Sequence, residues 1–212
     1  MKLARALVLA VAAAATTAAG VYVAGGVITN DFQASMAITG AWFAVAAAAS
    51  LASLKAGRSI GLPILAGYLI AAVTIGAYLA STTLIDRTVD EVVATAAPAT
   101  AVMAATGDER ARPRNVLEAT GRFTSAEHAT RGTARVIRLA SGRRVLTLTN
   151  FETDAGPDLR VRIGDADLGG LKGNKGDQQY DIPEGLRPRN GTVLIWCRAF
   201  SALFGSAQLR PA

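Results

Sequence analysis

The chain has 212 residues, a hydrophobic content of 51% and a formal net charge of +6. Such a composition fits either a compact soluble domain or a membrane protein, and the distribution of apolar residues separates the two classes. The sequence contains one cysteine and one histidine, which excludes an intramolecular disulfide and a zinc site built from several such residues.

Residues 1–85 are predicted to form a membrane region. Three stretches approach the roughly 20 apolar residues that a membrane-spanning helix needs, and they cover residues 6–28, 36–54 and 60–85. None of them contains Asp, Glu, Lys, Arg or His. Ion and proton pathways carry buried ionisable groups, so transport is not expected, and the predicted role of the helices is to anchor the chain in a lipid bilayer.

Basic residues predict the orientation of the spans. Lys2 and Arg5 precede the first span, and Lys55 and Arg58 lie between the second and third. The positive-inside rule therefore puts the N-terminus in the cytoplasm and everything after the third span outside it. The first 20 residues also fit a cleavable signal peptide. Both alternatives leave the C-terminal half periplasmic or extracellular.

Residues 86–115 are predicted to be a linker between the membrane region and a second domain. The segment is rich in Ala, Thr, Pro and Arg, and it lacks the alternation of a strand. Residues 90–97 alone fit a short extension of the third helix. Pro98 and the arginine-rich run at 110–114 favour a solvated segment instead.

Residues 116–212 have the periodicity of an all-β domain. Alternating residues at 134–139 and 145–149 flank the turn sequence "SGRR" and predict a hairpin. In "DLRVRIG", Leu159, Val161 and Ile163 alternate with two arginines, which is typical of a half-buried strand. The Asn-Gly pair at 190–191 predicts a turn before an apolar strand that contains Cys197. The fold predicted for the whole chain is a bundle of three transmembrane α-helices followed by an all-β, sandwich-like domain.

Five sequence blocks, in this order, resemble the DM-thirteen (DM13) domain family, which is also called electron transfer DM13. The blocks are "GRF" at 121–123, "HATRG" at 128–132, "LTLTNFETDAGPDLRV" at 146–161, "LGGLKGNKGDQQYDIP" at 168–183 and "VLIWCRAFSALFGSAQL" at 193–209. The resemblance covers residues 116–209 and leaves out the membrane region.

This resemblance implies an extracytoplasmic β domain with a role in electron transfer or thiol redox chemistry. The family's proposed redox cysteine lies in the "IWC" block, which makes Cys197 the candidate redox residue. The same cysteine is the candidate ligand of a prosthetic group such as haem, although the chain has no CxxCH attachment site. If Cys197 held haem iron, the sixth ligand would be His128, a substrate or nothing, because no methionine lies beyond Met103. The implied partner is a redox protein outside the cytoplasm.

The residues around Cys197 leave a second interpretation open. Alternation sends Val193, Ile195 and Cys197 to one face of the strand and Leu194, Trp196 and Arg198 to the other. Both faces are largely apolar, and a cysteine in an apolar strand is often a buried packing residue. The alternative function is a non-catalytic surface binding or adhesion module, in which loops such as residues 169–180 bind a ligand.

Other segments resemble phosphate-binding or metal-binding motifs but lack residues that those sites require. The segment "GGLKGNKGD" is glycine-rich and basic but does not match the phosphate-binding pattern GxxxxGK[ST], which favours a structured turn. "DADLGG" at 165–170 lacks the glutamate that completes an EF-hand, so no metal site is predicted. No hydrolase or transferase signature is present, and nucleic acid is not an expected partner outside the cytoplasm.

Overall fold

The structure is a computed structural model of the chain that describes residues 2–29, 31–98 and 114–212. Within these residues, three long helices come first, and their bounds are α1 Lys2–Gly26, α2 Phe32–Ala52 and α3 Arg58–Leu84. All three are long and apolar enough to cross a membrane. Each helix begins and ends slightly earlier than its predicted span.

Small residues and buried polar contacts hold the helices together. The Trp42 ring of α2 lies where a Cβ on Gly20 of α1 would be, and its Nε1 donates to the Thr17 carbonyl at 3.0 Å. The Ala10 carbonyl lies equally close to Gly67 of α3. These glycines permit the close helix packing that substitutes for a hydrophobic driving force in lipid.

Two β-sheets form the second unit of the chain. The strands are β1 Ala97–Pro98, β2 Val116–Arg122, β3 Thr124–Ser125, β4 Thr130–Arg138, β5 Arg144–Thr153, β6 Leu159–Ile163, β7 Ala166–Gly170, β8 Gln178–Ile182, β9 Thr192–Cys197, β10 Ala202–Gln208 and β11 Arg210–Pro211. Among the described residues, one sheet has the order β1-β2-β4-β5-β8 with β11 also on β2, and the other has the order β3-β10-β9-β6-β7. The strand pairs are antiparallel except β1–β2. The architecture is consistent with a β-sandwich.

The strand alternation seen in the sequence matches the observed burial in β6, whereas residues 145–149 of β5 are buried on both faces. Leu159, Val161 and Ile163 of β6 are buried, whereas the two arginines between them are partly exposed. The predicted hairpin is β4–β5, and its turn is closed by a hydrogen bond from the Leu139 amide to the Arg143 carbonyl. The predicted Asn-Gly turn differs in detail: residues Pro188–Asn190 form a short 3₁₀-helix, and Gly191 has an ordinary extended φ of −78°.

Residues 86–96, placed by the sequence in the linker, are bound to the β domain. The amides of Val89 and Glu91 donate to the carbonyls of Lys175 and Asp177, both at 2.9 Å. Farther along, the Ala94 amide donates to the Gln179 side chain of β8, and the Thr95 carbonyl accepts from Asn115, which precedes β2. This segment, here called the strap, is therefore anchored beside both β8 and β2, and it is not helical.

Candidate functional site

Cys197 is the last residue of β9 and faces the core of the β domain. Its exposure is 0%, as are those of Val193 and Ile195 on the same strand, while Leu194 and Trp196 on the other face are partly exposed. Strand β9 lies between β10 and β6, and Cys197 pairs with Leu159 of β6. The burial pattern thus settles which face of this apolar strand points inward.

The thiol of Cys197 donates a hydrogen bond to the Pro157 carbonyl, with an Sγ–O distance of 2.9 Å. Pro157 belongs to the loop between β5 and β6, residues 154–158. A Cβ on Gly156 of this loop would meet the Phe204 ring at 2.7 Å, so the loop packs tightly on β10. In this arrangement the sulfur is enclosed by protein atoms.

His128 lies between β3 and β4 and is held by the other end of the same loop. Its Nδ1 is 3.0 Å from Asp154 Oδ2, and its ring stacks on Phe204 at a centroid distance of 3.8 Å. The side chain is 15% exposed. The carboxylate and the phenyl ring together fix the orientation of the imidazole.

The two sequence-predicted site residues thus contact one loop at different positions. Asp154 holds His128 and Pro157 holds Cys197, while Phe204 lies against both the imidazole and Gly156. The sequence did not identify Pro157 or Asp154 as partners. A backbone carbonyl acceptor leaves no signal in a sequence, although both residues lie inside the "NFETDAGPDL" block.

This arrangement does not fit a haem bound between Cys197 and His128. An iron ligand needs an open side on which the porphyrin can lie, but Sγ has no exposed surface, and one face of the imidazole is covered by Phe204. The grooves lined by Arg131 and Lys175, by Arg143 and Glu184, and by Arg135 and Arg210 contain neither residue. Haem ligation stays an untested prediction that this geometry does not favour.

The glycine-rich loop at 171–177 is a structured turn whose polar groups are already used. Gln178 has 0% exposure, and its Oε1 accepts from Tyr180 Oη at 2.7 Å and from the amides of Lys172 and Gly173. Burial raises the pKa of the Tyr180 phenol. The inward amides of this loop are therefore not available to cradle a phosphate.

Acidic residues of the strap pair with the two lysines of that loop. Lys172 Nζ lies 2.7 Å from Glu91 Oε1, and Lys175 Nζ lies 2.5 Å from Asp86 Oδ2. The Lys175 ammonium and the Asn174 amide lower the pKa of Asp86. Hydrogen bonding to Lys172 lowers the pKa of Glu91, against the opposing effect of burial. A ligand of this loop would have to compete with these carboxylates.

No group of three or more His, Cys, Asp or Glu residues that could hold a metal ion occurs in the described parts of the chain. In the "DADLGG" segment, Asp167 Oδ2 accepts from Arg160 at 3.0 Å, and its Oδ1 accepts from the Gly169 amide at 2.8 Å. This carboxylate therefore has a structural role in the β6–β7 turn.

No curated protein and no solved structure matches the chain. A family match covers most of the β domain, from Arg122 at the end of β2 to Leu209 after β10, and it includes both Cys197 and His128. The family is described as electron transfer DM13, so residues 122–209 of this chain carry the DM13 domain that the sequence blocks predicted, behind three long apolar helices.

Proposed function

We propose that this protein is a membrane-anchored redox protein whose DM13 domain lies outside the cytoplasm and whose redox group is the Cys197 thiol. The electron-transfer family match supports a redox role, and the three apolar helices support the membrane anchor. The spans contain no ionisable relay in the sequence, so the redox partner would also lie outside the bilayer.

The observation that carries the proposal is the position of Cys197 at the end of its strand, under one short loop. Its acceptor, Pro157, precedes Asp158, which has a φ of +54°. A left-handed conformation at a residue other than glycine is strained by about 1 kcal/mol or more. Release of that strain lowers the free energy of opening the loop, and the opened loop would expose Sγ.

The chemistry is a thiol–disulfide exchange with a partner disulfide. Cys197 loses its proton, and its sulfur attacks one sulfur of the partner's disulfide. The partner's S–S bond breaks as the new S–S bond forms, and the second partner sulfur leaves as a thiolate that takes up a proton. Cys197 is oxidised to a mixed disulfide, and the leaving sulfur is reduced.

The test measures the reaction of the full-length protein with oxidised glutathione in an uncharged detergent. Mass spectrometry reports the adduct, and Cys197→Ser gives the blank because the chain has no other cysteine. We expect the rate of adduct formation by the folded protein to exceed the rate of global unfolding. Gly156→Ala should increase the rate severalfold, since its Cβ would meet Phe204 at 2.7 Å and displace the loop.

A reaction that proceeds only at the rate of global unfolding would instead identify Cys197 as a packing residue. That outcome would favour the second candidate function, a non-catalytic surface binding module. The 0% exposure of Cys197 is the specific observation in its favour, because buried cysteines in apolar surroundings are generally inert.

A further inference from the structure

A groove on the β domain is lined by arginine and hydroxyl side chains. Its volume is about 560 Å³, within the range of pockets that hold small molecules. The side chains that matter are those of Arg122, Arg135 and Arg210, accompanied by three threonines and Gln208. The groove lies apart from Cys197 and His128, so its role is independent of the redox proposal.

Strand register brings the arginines together on one face of the sheet. Thr120 of β2 pairs with Arg135 of β4 on one side and with Arg210 of β11 on the other. Arg122 lies two residues farther along β2 and pairs with Thr133 of β4. Directly paired residues point to the same face, and so do residues two apart on one strand. Neighbouring Ala119 and Ala134 have 0% exposure, so the arginines point away from the core.

The groove arginines differ from the other arginines of this sheet in their partners. Arg131 pairs with Glu152, Arg143 with Asp181, and Arg138 and Arg144 with Glu118. Within residues 2–29, 31–98 and 114–212, no carboxylate lines the groove or forms an ion pair with its three arginines. Arg135 donates to the Thr149 hydroxyl at 2.9 Å.

Arg122 also borders a second groove, which contains acidic residues. Those residues are Asp90, Glu152 and Asp177, and the same groove contains Arg131 and Lys175 as cations. Glu152 forms ion pairs with Arg131 and Lys175, and Asp177 accepts from the Asn150 amide. These contacts orient Glu152 and Asp177 toward groups other than Arg122.

We propose that this arginine groove binds a phosphate group. Guanidinium groups donate paired hydrogen bonds that match phosphate oxygens, and the threonine hydroxyls add neutral donors. Three cations without a carboxylate complement a dianion better than a monoanion. The phosphate belongs either to a small soluble ester or to a phospholipid headgroup, and both present the same oxygens to the groove.

The first arm of the test is isothermal titration of inorganic diphosphate into the full-length protein in a maltoside detergent, with chloride at the same ionic strength as the reference. We expect saturable binding by the wild type. The double variant Arg122→Gln, Arg210→Gln should bind at least about tenfold more weakly, since it loses two charge-assisted contacts. Both side chains are exposed, so the substitutions leave the core unchanged.

The control is Arg143→Gln, which removes one positive charge from an exposed arginine in the β4–β5 turn, where the double variant removes two. It should bind diphosphate as the wild type does. Equal weakening by Arg143→Gln would mean that the effect is one of net charge, and unchanged binding by the double variant would place the anion elsewhere. Either result overturns the proposal.

The second arm compares thermal unfolding in nanodiscs of phosphatidylcholine with and without phosphatidic acid. A phospholipid source predicts that phosphatidic acid stabilises the wild type and not the double variant. A soluble source predicts diphosphate binding in detergent and no difference between the two discs. If neither arm distinguishes the wild type from the double variant, the groove does not bind phosphate.

Discussion

Glu118 of β2 is a buried carboxylate that joins three neighbouring strands. It is 6% exposed, its Oε1 accepts from Arg138 Nε of β4 at 3.0 Å, and its Oε2 accepts from Arg144 Nε of β5 at 2.7 Å. Burial alone would raise the pKa of Glu118, but the hydrogen bonds from Arg144 and Arg138 outweigh it and hold the pKa below its usual value.

This depressed pKa predicts a loss of stability in acid. The contribution of Glu118 is fully present above its unfolded pKa of about 4.3 and is lost as the pH falls through the lower, folded pKa. Glu118→Gln should reduce the free energy of unfolding at neutral pH by about 2 kcal/mol, since two charge-assisted hydrogen bonds are weakened. Its stability should then decline less steeply than that of the wild type below about pH 4.3.

The measurement is the unfolding midpoint of the full-length protein as a function of pH. Glu184→Gln is the control, because it makes the same chemical change at an exposed loop residue. Parallel pH profiles for the wild type and Glu118→Gln would show that the pairing of Glu118 with its two arginines contributes nothing to the acid dependence.

Residue-scale features were accessible from the sequence only where they follow from alternation. The inward direction of Cys197 follows from its place two residues after Ile195, once one face is known to be buried. The hydrogen-bond acceptor of Cys197 could not be predicted in this way, because it is the backbone carbonyl of Pro157, 40 residues away in the chain. Likewise, nothing in the local sequence around Glu118 specifies Arg138 and Arg144 as its partners.

At the scale of elements, the strap depends on two glycines in the loop beneath it. A Cβ on Gly176 would lie 2.2 Å from the Val89 carbonyl, and one on Gly173 would lie 2.5 Å from the Arg87 carbonyl. Gly176→Ala should therefore displace the strap from the loop. We expect the amides of Val89 and Glu91 to exchange with solvent deuterium at least about tenfold faster in this variant, because their bonds to Lys175 and Asp177 are lost.

Gly142→Ala is the matched control for backbone strain. Gly142 has a φ of +88°, close to the +96° of Gly176, yet a Cβ there would meet nothing within 4 Å. Both variants are destabilised by an alanine in a left-handed conformation, but only the alanine Cβ at position 176 would contact the strap. Equal exchange at Val89 in the two variants would mean that strain in the loop, and not contact with the strap, causes the change.

The helices and strands β4, β5, β6 and β9 were predictable from the sequence, whereas the strap was not. Strand β6 alternates apolar residues with arginines, and the helices are long apolar runs. In each case the spacing of the apolar residues indicates the type of element and the face that is buried. The strap has neither period. Its order comes from main-chain hydrogen bonds and from the pairing of Asp86 and Glu91 with lysines more than 80 residues later. Such long-range contacts are absent from local patterning.

At the scale of the whole molecule, the remaining question is the side of the membrane on which the DM13 domain lies. Lys2 and Arg5 stand at the start of α1, and Lys55 and Arg58 stand between α2 and α3. The positive-inside rule predicts that both groups lie in the cytoplasm. The same rule predicts that the end of α3 lies outside, whether or not the first span is removed as a signal peptide.

Two single-cysteine additions test this orientation in intact cells with a membrane-impermeant maleimide. Ala56→Cys places an exposed thiol between α2 and α3, and Glu184→Cys places one in an exposed loop of the β domain. Both additions are made in the Cys197→Ser variant, because the redox proposal requires the native thiol to become reachable and it would then be labelled as well. We expect labelling at position 184 in intact cells and at position 56 only after permeabilisation. The reverse pattern would put the DM13 domain in the cytoplasm and remove the extracytoplasmic partner from the redox proposal.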